Sequence, residues 1–233
     1  METVIRLENE MKDSGIEWVG MIPQKWEVRK NKYLIDKLYS GGTPTVSNPD
    51  FYTEDGIPFV SISDMSNINY VETTKKSLTQ KGIEDKNLKV LDEGTILYSI
   101  YATIGAVSEL KIRSTISQAI LAISTKDIIN KQFYKYNLKA MKEYIFSTAN
   151  GNTQFNLNAE KVWNFVFTFP CLKEQSQIAD FLDEKCSKID DIIAETKASI
   201  EEYKELKQAV IFETVTKGLD KNVGMKDSGI NWI

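Results

Sequence analysis

The sequence contains no histidine among its 233 residues. Histidine is the commonest general base and metal ligand at neutral pH, so its absence removes the residue most often used in either role. The two cysteines, Cys171 and Cys186, are too far apart in sequence for a zinc or redox motif. We predict that both act as small apolar residues of a core or a helix seam in a reducing compartment.

Long hydrophobic runs are also missing. No apolar stretch approaches the ~20 residues that a membrane-spanning helix needs, so we expect no membrane partner. The opening segment, Met1–Glu8, is charged and lacks the apolar centre of a signal peptide, which predicts a cytoplasmic protein. P-loop and dinucleotide-binding glycine motifs are absent as well.

The negative charge is concentrated in one part of the chain. The formal net charge is −4, but residues 1–170 carry 20 basic and 20 acidic side chains, whereas residues 171–233 carry 9 and 13. The acidity therefore belongs to the C-terminal segment. The N-terminal part can still present a local basic face to a nucleic acid.

A nine-residue segment occurs twice. Residues 11–19 read MKDSGIEWV and residues 225–233 read MKDSGINWI, with identity at seven of the nine positions. Self-similarity of this kind indicates repeated architecture. We interpret the chain as one complete unit followed by the start of a second, which favours self-association.

After an N-terminal tail at 1–14, residues 15–172 mix short apolar runs with turn signals, which predicts an α/β (α+β) globular domain. Strands are predicted in the runs 57–62, 95–100, 120–123 and 162–167. Turns are predicted at 41–44, where glycine permits a positive φ, and at 47–50. Residues 131–147 are predicted as an amphipathic helix, whose apolar face carries Tyr134, Leu138, Met141 and Ile145.

Residues 173–217 are predicted as one long coiled-coil helix, because apolar side chains recur there at spacings of three and four. The predicted seam, which we interpret as a dimer interface, consists of Leu182, Cys186, Ile189, Ile193, Ile200, Tyr203, Leu206 and Val210. Ion pairs at helical spacing, Glu184–Lys188 and Glu201–Lys204, support the helix, and Gly218 after Lys217 predicts its end.

A helix of this length spans ~65 Å, more than the preceding domain could bury. We therefore expect the seam to meet a partner and the helix to act as dimerisation and spacer element. A helix folded back on its own domain is the alternative. Residues 218–233 are then a linker and the start of a second repeat.

Residue types that suit DNA contacts are spread over several segments. Lysines at helical spacing in the predicted helix 131–147 suit a phosphate backbone, although a solvated helix face has the same pattern. Further basic groups, and loop residues with donors, acceptors and aromatic edges, suit phosphate and base contacts. The candidate DNA-binding residues are Lys30, Lys32, Gly42, Thr43, Asn67, Asn69, Tyr70, Lys75, Lys76, Tyr98, Ser99, Tyr101, Thr103, Lys111, Arg113, Lys131, Lys135 and Lys139.

No group of residues argues for catalysis. The segment Asn48–Phe51 is only faintly similar to the Asn-Pro-Pro-Tyr loop of amino-methyltransferases, because the second proline and a methyl-donor glycine motif are missing. Asp50 with Glu54 and Asp55 lacks the lysine that a metal-dependent nuclease site needs. Both segments are interpreted as turns, and we assign neither catalytic residues nor metal ligands.

A set of short motifs extends over nearly the whole chain. They are SGIEWVGMIP at 14–23, SGGTP at 40–44, GIPFV at 56–60, GNTQFNLN at 151–158, FPCLKEQ at 169–175, IADFLD at 178–183, IDDII at 189–193, LKQAV at 206–210 and VTKGLD at 215–220. Together they resemble one half of the specificity subunit of a type I restriction–modification system. One departure is Pro170-Cys171-Leu172, where the family usually has Pro-Pro-Leu.

The resemblance implies a target recognition domain followed by a conserved helix. A full-length member carries two such units, whose antiparallel helices set the gap between two DNA half-sites and dock the methyltransferase subunits. It also implies no cofactor here, since S-adenosylmethionine and ATP belong to the partner subunits. Because the recognition region varies among members, base-contacting positions are not transferred.

We therefore hypothesise a homodimer that reads a palindromic split site in double-stranded DNA, with methyltransferase and restriction subunits as partners. The alternatives are a self-contained DNA methyltransferase, a non-DNA coiled-coil adaptor and an inactive recombination remnant.

Overall fold

A computed structural model describes residues 8–65, 68–148 and 157–220, together with residues 222, 224, 226, 227 and 229. The chain divides into two compact units, Met1–Ala179 and Asp180–Ile233. The strands are β1 Met11–Asp13, β2 Met21–Pro23, β3 Glu27–Lys30, β4 Ile35–Ser40, β5 Tyr52–Thr53, β6 Ile57–Val60, β7 Tyr70–Val71, β8 Ser77–Leu78, β9 Ile96–Ser99, β10 Val107–Leu110, β11 Thr115–Ile116, β12 Ile120–Thr125 and β13 Val166–Phe169. The helices are α1 Gln80–Asp85, α2 Lys131–Thr148, α3 Ala159–Trp163 and α4 Leu172–Lys217.

A five-stranded sheet with the order β4-β12-β9-β10-β7 forms the centre of the first unit. Neighbouring strands are antiparallel, except for the edge pair β10 and β7, which is parallel. The central strand β9 is buried on both faces: Ile96 and Tyr98 join the apolar cluster that contains α2, and Leu97 joins the opposite cluster. Because alternate side chains face opposite sides of a strand, double-sided burial produces a continuous apolar run.

Helix α2 covers one face of this sheet. Tyr134, Leu138, Met141 and Ile145 are all buried, which confirms the predicted helix and its apolar face. Just before the first turn, the Oδ1 atom of Asn130 accepts the backbone N–H of Phe133 at 2.9 Å and caps the helix.

The remaining strands form a four-stranded sheet, β11-β6-β8-β5, and two ribbons, β1-β2 and β13-β3. Strands β6, β9 and β12 confirm the predictions for 57–62, 95–100 and 120–123. The prediction for 162–167 is wrong in its first half. Val162 and Trp163 belong to α3, because the side chain of Asn158 accepts the backbone N–H of Lys161 at 2.9 Å and starts a helical turn there.

The first unit also contains residues that the sequence assigns to a tail. Met11–Asp13 form β1, which pairs with β2 in antiparallel register. The turn after Asp13 is closed by the N–H of Gly15, which donates to Asp13 Oδ1 at 2.9 Å while Gly15 has a φ of +69°. The second copy repeats this turn, since the N–H of Gly229 donates to Asp227 Oδ1 at 3.0 Å with a φ of +68°.

Residues 41–44 form an irregular segment after β4, with the turn itself at 46–47, and the glycines serve a different purpose from the one expected. Neither Gly41 nor Gly42 has a positive φ. A Cβ atom on Gly41 would lie 2.3 Å from the carbonyl oxygen of Ile116. Glycine is required here because two backbone segments approach each other closely.

The start of α4 is fastened to the first unit by Gln175, which is fully buried. Its Nε2 donates to the carbonyl oxygen of Pro170 at 2.9 Å, and its Oε1 accepts the backbone N–H of Asn130 at 2.7 Å. The neighbouring Glu174 accepts the indole N–H of Trp26 at 3.0 Å. These bonds explain the Glu-Gln pair of the sequence motif, because each side chain joins α4 to a different part of the unit.

In the second unit α4 continues to Lys217, and both predicted ion pairs are present with N–O distances of 2.7 Å. The helix ends as predicted, with Gly218 at a φ of +75° and its N–H donating to the carbonyl of Thr214 at 3.0 Å. The prediction for the cysteines holds only in part. Cys186 is half-buried, whereas Cys171 is exposed and precedes the first turn of α4.

Candidate nucleic-acid interface

Three segments that are distant in sequence meet where the edge strand β7 pairs with β10. Glu109 of β10 lies opposite Tyr70 of β7, and its backbone N–H donates to the carbonyl of Asn69 at 2.9 Å. Lysines of α2 and Lys111, which directly follows β10, complete the group. We call it the Glu109 cluster and define it as Asn69, Tyr70, Glu109, Lys111, Lys131, Lys135 and Lys139.

The centre of the cluster is a buried ion pair. Lys135 Nζ lies 2.8 Å from Glu109 Oε2, and the two side chains are only 7% and 11% exposed. The second carboxylate oxygen lies 3.4 Å from Lys111 Nζ, whose side chain is 45% exposed. One carboxylate therefore holds two ammonium groups, one inside the protein and one at the surface.

Burial would raise the pKa of Glu109, but its hydrogen bond to Lys135 and the charges of Lys135, Lys131 and Lys111 outweigh this and lower the pKa below its ordinary value. Glu109 is therefore ionised at neutral pH. Its charge offsets that of the buried Lys135, and such pairing is the usual condition for placing an ammonium group in a protein interior.

The aromatic ring of Tyr70 contacts the same lysines. Lys111 Nζ lies 4.3 Å and Lys135 Nζ 5.0 Å from the ring centroid, distances typical of cation–π contacts. At the surface of the cluster Lys139 Nζ donates to Asn69 Oδ1 at 2.8 Å, and Lys131 Nζ donates to the carbonyl of Gly94 at 2.9 Å. Lys111, Lys131 and Lys139 thus present ammonium groups to solvent in held positions.

Lys75 lies close to this surface, whereas other predicted basic residues lie elsewhere. Lys75 lines a depression that Tyr70 also lines. Lys76 lies over the ring of Tyr52 at 5.6 Å, and exposed Arg113 is 3.3 Å from Asp92. Two further lysines belong to a different sheet region: Lys30 ends β3, and Lys32 follows it, 5.0 Å from the ring of Tyr33.

The loop between β9 and β10 contains two of the predicted base-reading residues in exposed positions, Tyr101 and Thr103. Its base is fixed by the hydroxyl of Ser99, which donates to the carbonyl of Tyr101 at 2.8 Å. Ala102 between them has a φ of +57°, a left-handed conformation that is unfavourable for a residue with a Cβ.

Three sequence candidates are buried and are corrected. Lys135 is turned into the Glu109 ion pair, so its ammonium is not presented to a phosphate. Tyr98 and Ser99 are fully buried because β9 is covered on both faces. We remove these three residues from the proposed DNA surface.

Gly42 and Thr43 have structural contacts. The N–H of Gly42 donates to the carbonyl of Ile116 at 3.1 Å, and the hydroxyl of Thr43 accepts the N–H of Gln118 at 3.4 Å. Both residues are half-buried, and we leave them out of the proposed DNA surface as well. The candidate Asn67 and most of the polar segment 151–158 lie outside the described residues.

Sequence reasoning missed Glu109 and Asp64. Asp64 is buried, and its carboxylate accepts the N–H and hydroxyl of Ser61 at 2.9 and 2.6 Å and the N–H of Lys75 at 3.2 Å. It therefore joins the turn after β6 to the segment between β7 and β8. An acid inside the otherwise uncharged run 104–110 was the available sign for Glu109, because an isolated carboxylate on a buried strand requires a cationic partner.

The predicted seam of α4 is a second candidate interface. Its apolar side chains are exposed from Ile189 onward, and Leu182 and Cys186 are half-buried. Ile193, Ile200 and Leu206 are 45%, 48% and 56% exposed. A row of large apolar side chains at a helical spacing is typical of a surface that is covered by another helix.

Within the described part of the chain, no group of three or more cysteine, aspartate or glutamate residues is placed to hold a metal ion. No helix in that part is both long enough and apolar enough to span a membrane.

The sequence of this chain is similar to those of known proteins. The family model of the type I restriction modification DNA specificity domain matches residues 23–202. The type I restriction enzyme MjaIX specificity subunit of Methanocaldococcus jannaschii is 29% identical over 221 residues, 93% of this chain and 47% of the relative. The HindI specificity subunit of Haemophilus influenzae is 32% identical over 140 residues, 59% of this chain and 30% of the relative. The chain spans about half the length of the first of these relatives.

Solved structures have the same fold. An HsdS subunit from Thermoanaerobacter tengcongensis has a TM-score of 0.63 at 18% identity, over 91% of this chain and 49% of that one. A chain from a study of assembly and conformational transition in the type I R-M system has a TM-score of 0.70 at 19% identity, over 91% of this chain and 50% of that one. The mixed sheet-and-helix domain followed by a long helix, expected from the sequence, is confirmed.

Proposed function

The chain belongs to the family of type I restriction modification DNA specificity domains, and from this premise we propose that it is the DNA-recognition subunit of a type I restriction–modification complex. Each chain reads one half-site, and two chains form a homodimer on a split site. The dimer positions methyltransferase and restriction subunits. It supplies no catalytic residue itself, because S-adenosylmethionine and ATP are bound by those partners.

The Glu109 cluster is the observation that carries the DNA-binding role. Three exposed lysines from two segments are held within one surface. Lys111 is held by Glu109, Lys139 by Asn69 and Lys131 by the carbonyl of Gly94. Ammonium groups held in this way neutralise phosphates and release counterions, which supplies affinity, while base edges are read by neighbouring loops. The proposed DNA-contacting residues are Lys30, Lys32, Asn69, Tyr70, Lys75, Lys76, Tyr101, Thr103, Lys111, Arg113, Lys131 and Lys139.

The seam of α4 supports the homodimer. A twofold dimer uses the same surface on both chains, so a row of apolar residues on one helix can bury its copy on the other. Twofold symmetry of the protein matches an inverted repeat in the DNA. The half-sites should therefore be identical and inverted, with a gap that depends on the length of α4.

The test is to co-express the chain with a cognate methyltransferase subunit and to map methylated positions on genomic DNA. We expect one motif that consists of two identical inverted half-sites around a fixed gap. A chain that lacks residues 180–217, and therefore the whole seam, should methylate no split motif.

Two other results would decide against the proposal. Methyl transfer by the purified chain alone would establish a self-contained methyltransferase. Failure of the complex to bind any DNA would favour the coiled-coil adaptor or the inactive remnant.

A further inference from the structure

Glu109 has an unusual position for a residue of a DNA-binding surface, because a carboxylate repels phosphate. It is nevertheless close to the charges of three lysines, Lys111, Lys131 and Lys135, and it is paired with one buried and one exposed ammonium group. The two contacts differ in strength. The pair with Lys135 is short and enclosed, whereas the pair with Lys111 is longer and about half open to water.

Exposure to water decides which of the two ion pairs of Glu109 can be exchanged for another contact. An exposed ion pair is weakened by water and salt and is readily given up, whereas a buried pair cannot be opened without leaving an unpaired charge inside the protein. Lys111 can therefore leave Glu109 for another anion, while Lys135 stays. The ring of Tyr70, 4.3 Å from Lys111 Nζ, keeps the ammonium at the surface during such an exchange.

We propose that Glu109 is a specificity-determining residue that competes with DNA phosphate for Lys111. On non-specific DNA Lys111 remains paired with Glu109 and adds no phosphate contact. On a cognate half-site, base contacts fix the backbone close to Lys111, and the ammonium transfers from the carboxylate to the phosphate. This inference rests on the proposed DNA-recognition function and assigns to Glu109 the role of lowering affinity for the wrong DNA.

The size of the effect follows from counterion release. Each phosphate contact adds a slope of about 0.9 to the dependence of log affinity on log salt, so one contact changes affinity roughly threefold between about 50 and 200 mM salt. Loss of Glu109 should add one such contact on non-specific DNA. Loss of Lys111 should remove one on cognate DNA only.

The experiment uses the complex of the full chain with its methyltransferase subunit and two duplexes, one with the mapped methylation motif and one with that motif scrambled. Binding is measured by fluorescence anisotropy over a series of salt concentrations. Because Glu109→Gln alone leaves Lys135 buried without a counter-charge, the main variant is the double substitution Glu109→Gln with Lys135→Met. It removes both buried charges and leaves net charge unchanged.

We expect the double variant to bind the scrambled duplex more tightly, with a salt slope steeper by about 0.9, so that its advantage is roughly threefold larger at about 50 mM than at about 200 mM salt. Its binding to the motif duplex should be almost unchanged. Lys111→Gln should reduce the slope for the motif duplex by a similar amount and leave the scrambled duplex unaffected. The control is Asp36→Asn on the edge strand β4, which lies three strands from β10 in the same sheet, about 14 Å away at ~4.8 Å per strand.

The outcomes separate the two proposals. If the unmodified complex does not distinguish the duplexes, the DNA-recognition function fails, and this inference fails with it. If it distinguishes them but the double variant binds the scrambled duplex no more tightly than the unmodified complex, or no more tightly than Asp36→Asn, only the role of Glu109 is overturned. A variant of Lys111 that weakens both duplexes equally also overturns that role.

Discussion

Replacing Ile193 by alanine tests the seam of α4 at its centre. The side chain is 45% exposed in the single chain. Full burial of an isoleucine is worth about 1.5–3 kcal/mol, so covering the exposed half contributes about 1 kcal/mol. Because the dimer contains two copies of residue 193, the substitution weakens the free energy of dimerisation by about 2 kcal/mol, which raises the dimer dissociation constant roughly 30-fold.

The neighbouring Ile192 provides a matched control. It is chemically identical and is 61% exposed, but it lies about 100° around the helix from Ile193 and outside the seam. Sedimentation equilibrium over a range of concentrations measures the dimer dissociation constant of both alanine variants. The seam predicts a large change for Ile193→Ala and almost none for Ile192→Ala. Equal effects of the two substitutions, or a chain that stays monomeric at all concentrations, would refute the reasoning.

The fold supports further predictions. Gln175→Ala removes both hydrogen bonds of a fully buried side chain at the start of α4, so we expect a loss of about 2–4 kcal/mol in the free energy of unfolding by urea titration, whereas Gln177→Ala on the exposed face should cost less than about 0.5 kcal/mol. Gly41→Ala would place a methyl group 2.3 Å from the carbonyl of Ile116, and we expect a loss of about 1–3 kcal/mol; an unchanged thermal midpoint would contradict the close approach. Because the pKa of Glu109 is lowered in the folded chain, its contribution to stability is complete above its ordinary pKa and is lost as the pH falls through the lower folded value. Between about pH 6 and about pH 3, the free energy of unfolding measured by urea titration should therefore fall more for the unmodified chain than for Glu109→Gln. An equal decrease with pH in the two chains would contradict the ion pair.

Periodic elements could be predicted from the sequence because one-dimensional spacing records burial directly. The face of α2 that carries Tyr134 and Leu138 follows from spacings of three and four, and the extent of α4 follows from its seam and the glycine at 218. The run 95–100 predicts strand β9 but not its burial on both faces, so Tyr98 is a DNA-contact candidate in the sequence and a buried residue in the structure. A short apolar run does not reveal what covers each of its faces.

The interior of the candidate site could not be predicted, since it depends on contacts between distant segments. Lys131, Lys135 and Lys139 share one spacing, and only the position of β10 decides that Lys135 turns inward while the others remain exposed. Glu109 lies 26 residues before its partner Lys135 in sequence. The run 104–110 indicates that Glu109 needs a cationic partner, but no local feature identifies Lys135 as that partner.

The central claim is that α4 joins two identical DNA-reading units and sets the distance between them. Its most direct test is to duplicate residues 190–196, one heptad, which keeps the seam in phase and lengthens each helix by about 10 Å. The methylation motif of the resulting complex is then mapped beside that of the unmodified one. The account predicts the same inverted half-site bases with a changed gap. An unchanged gap, or altered bases with the original gap, would contradict it.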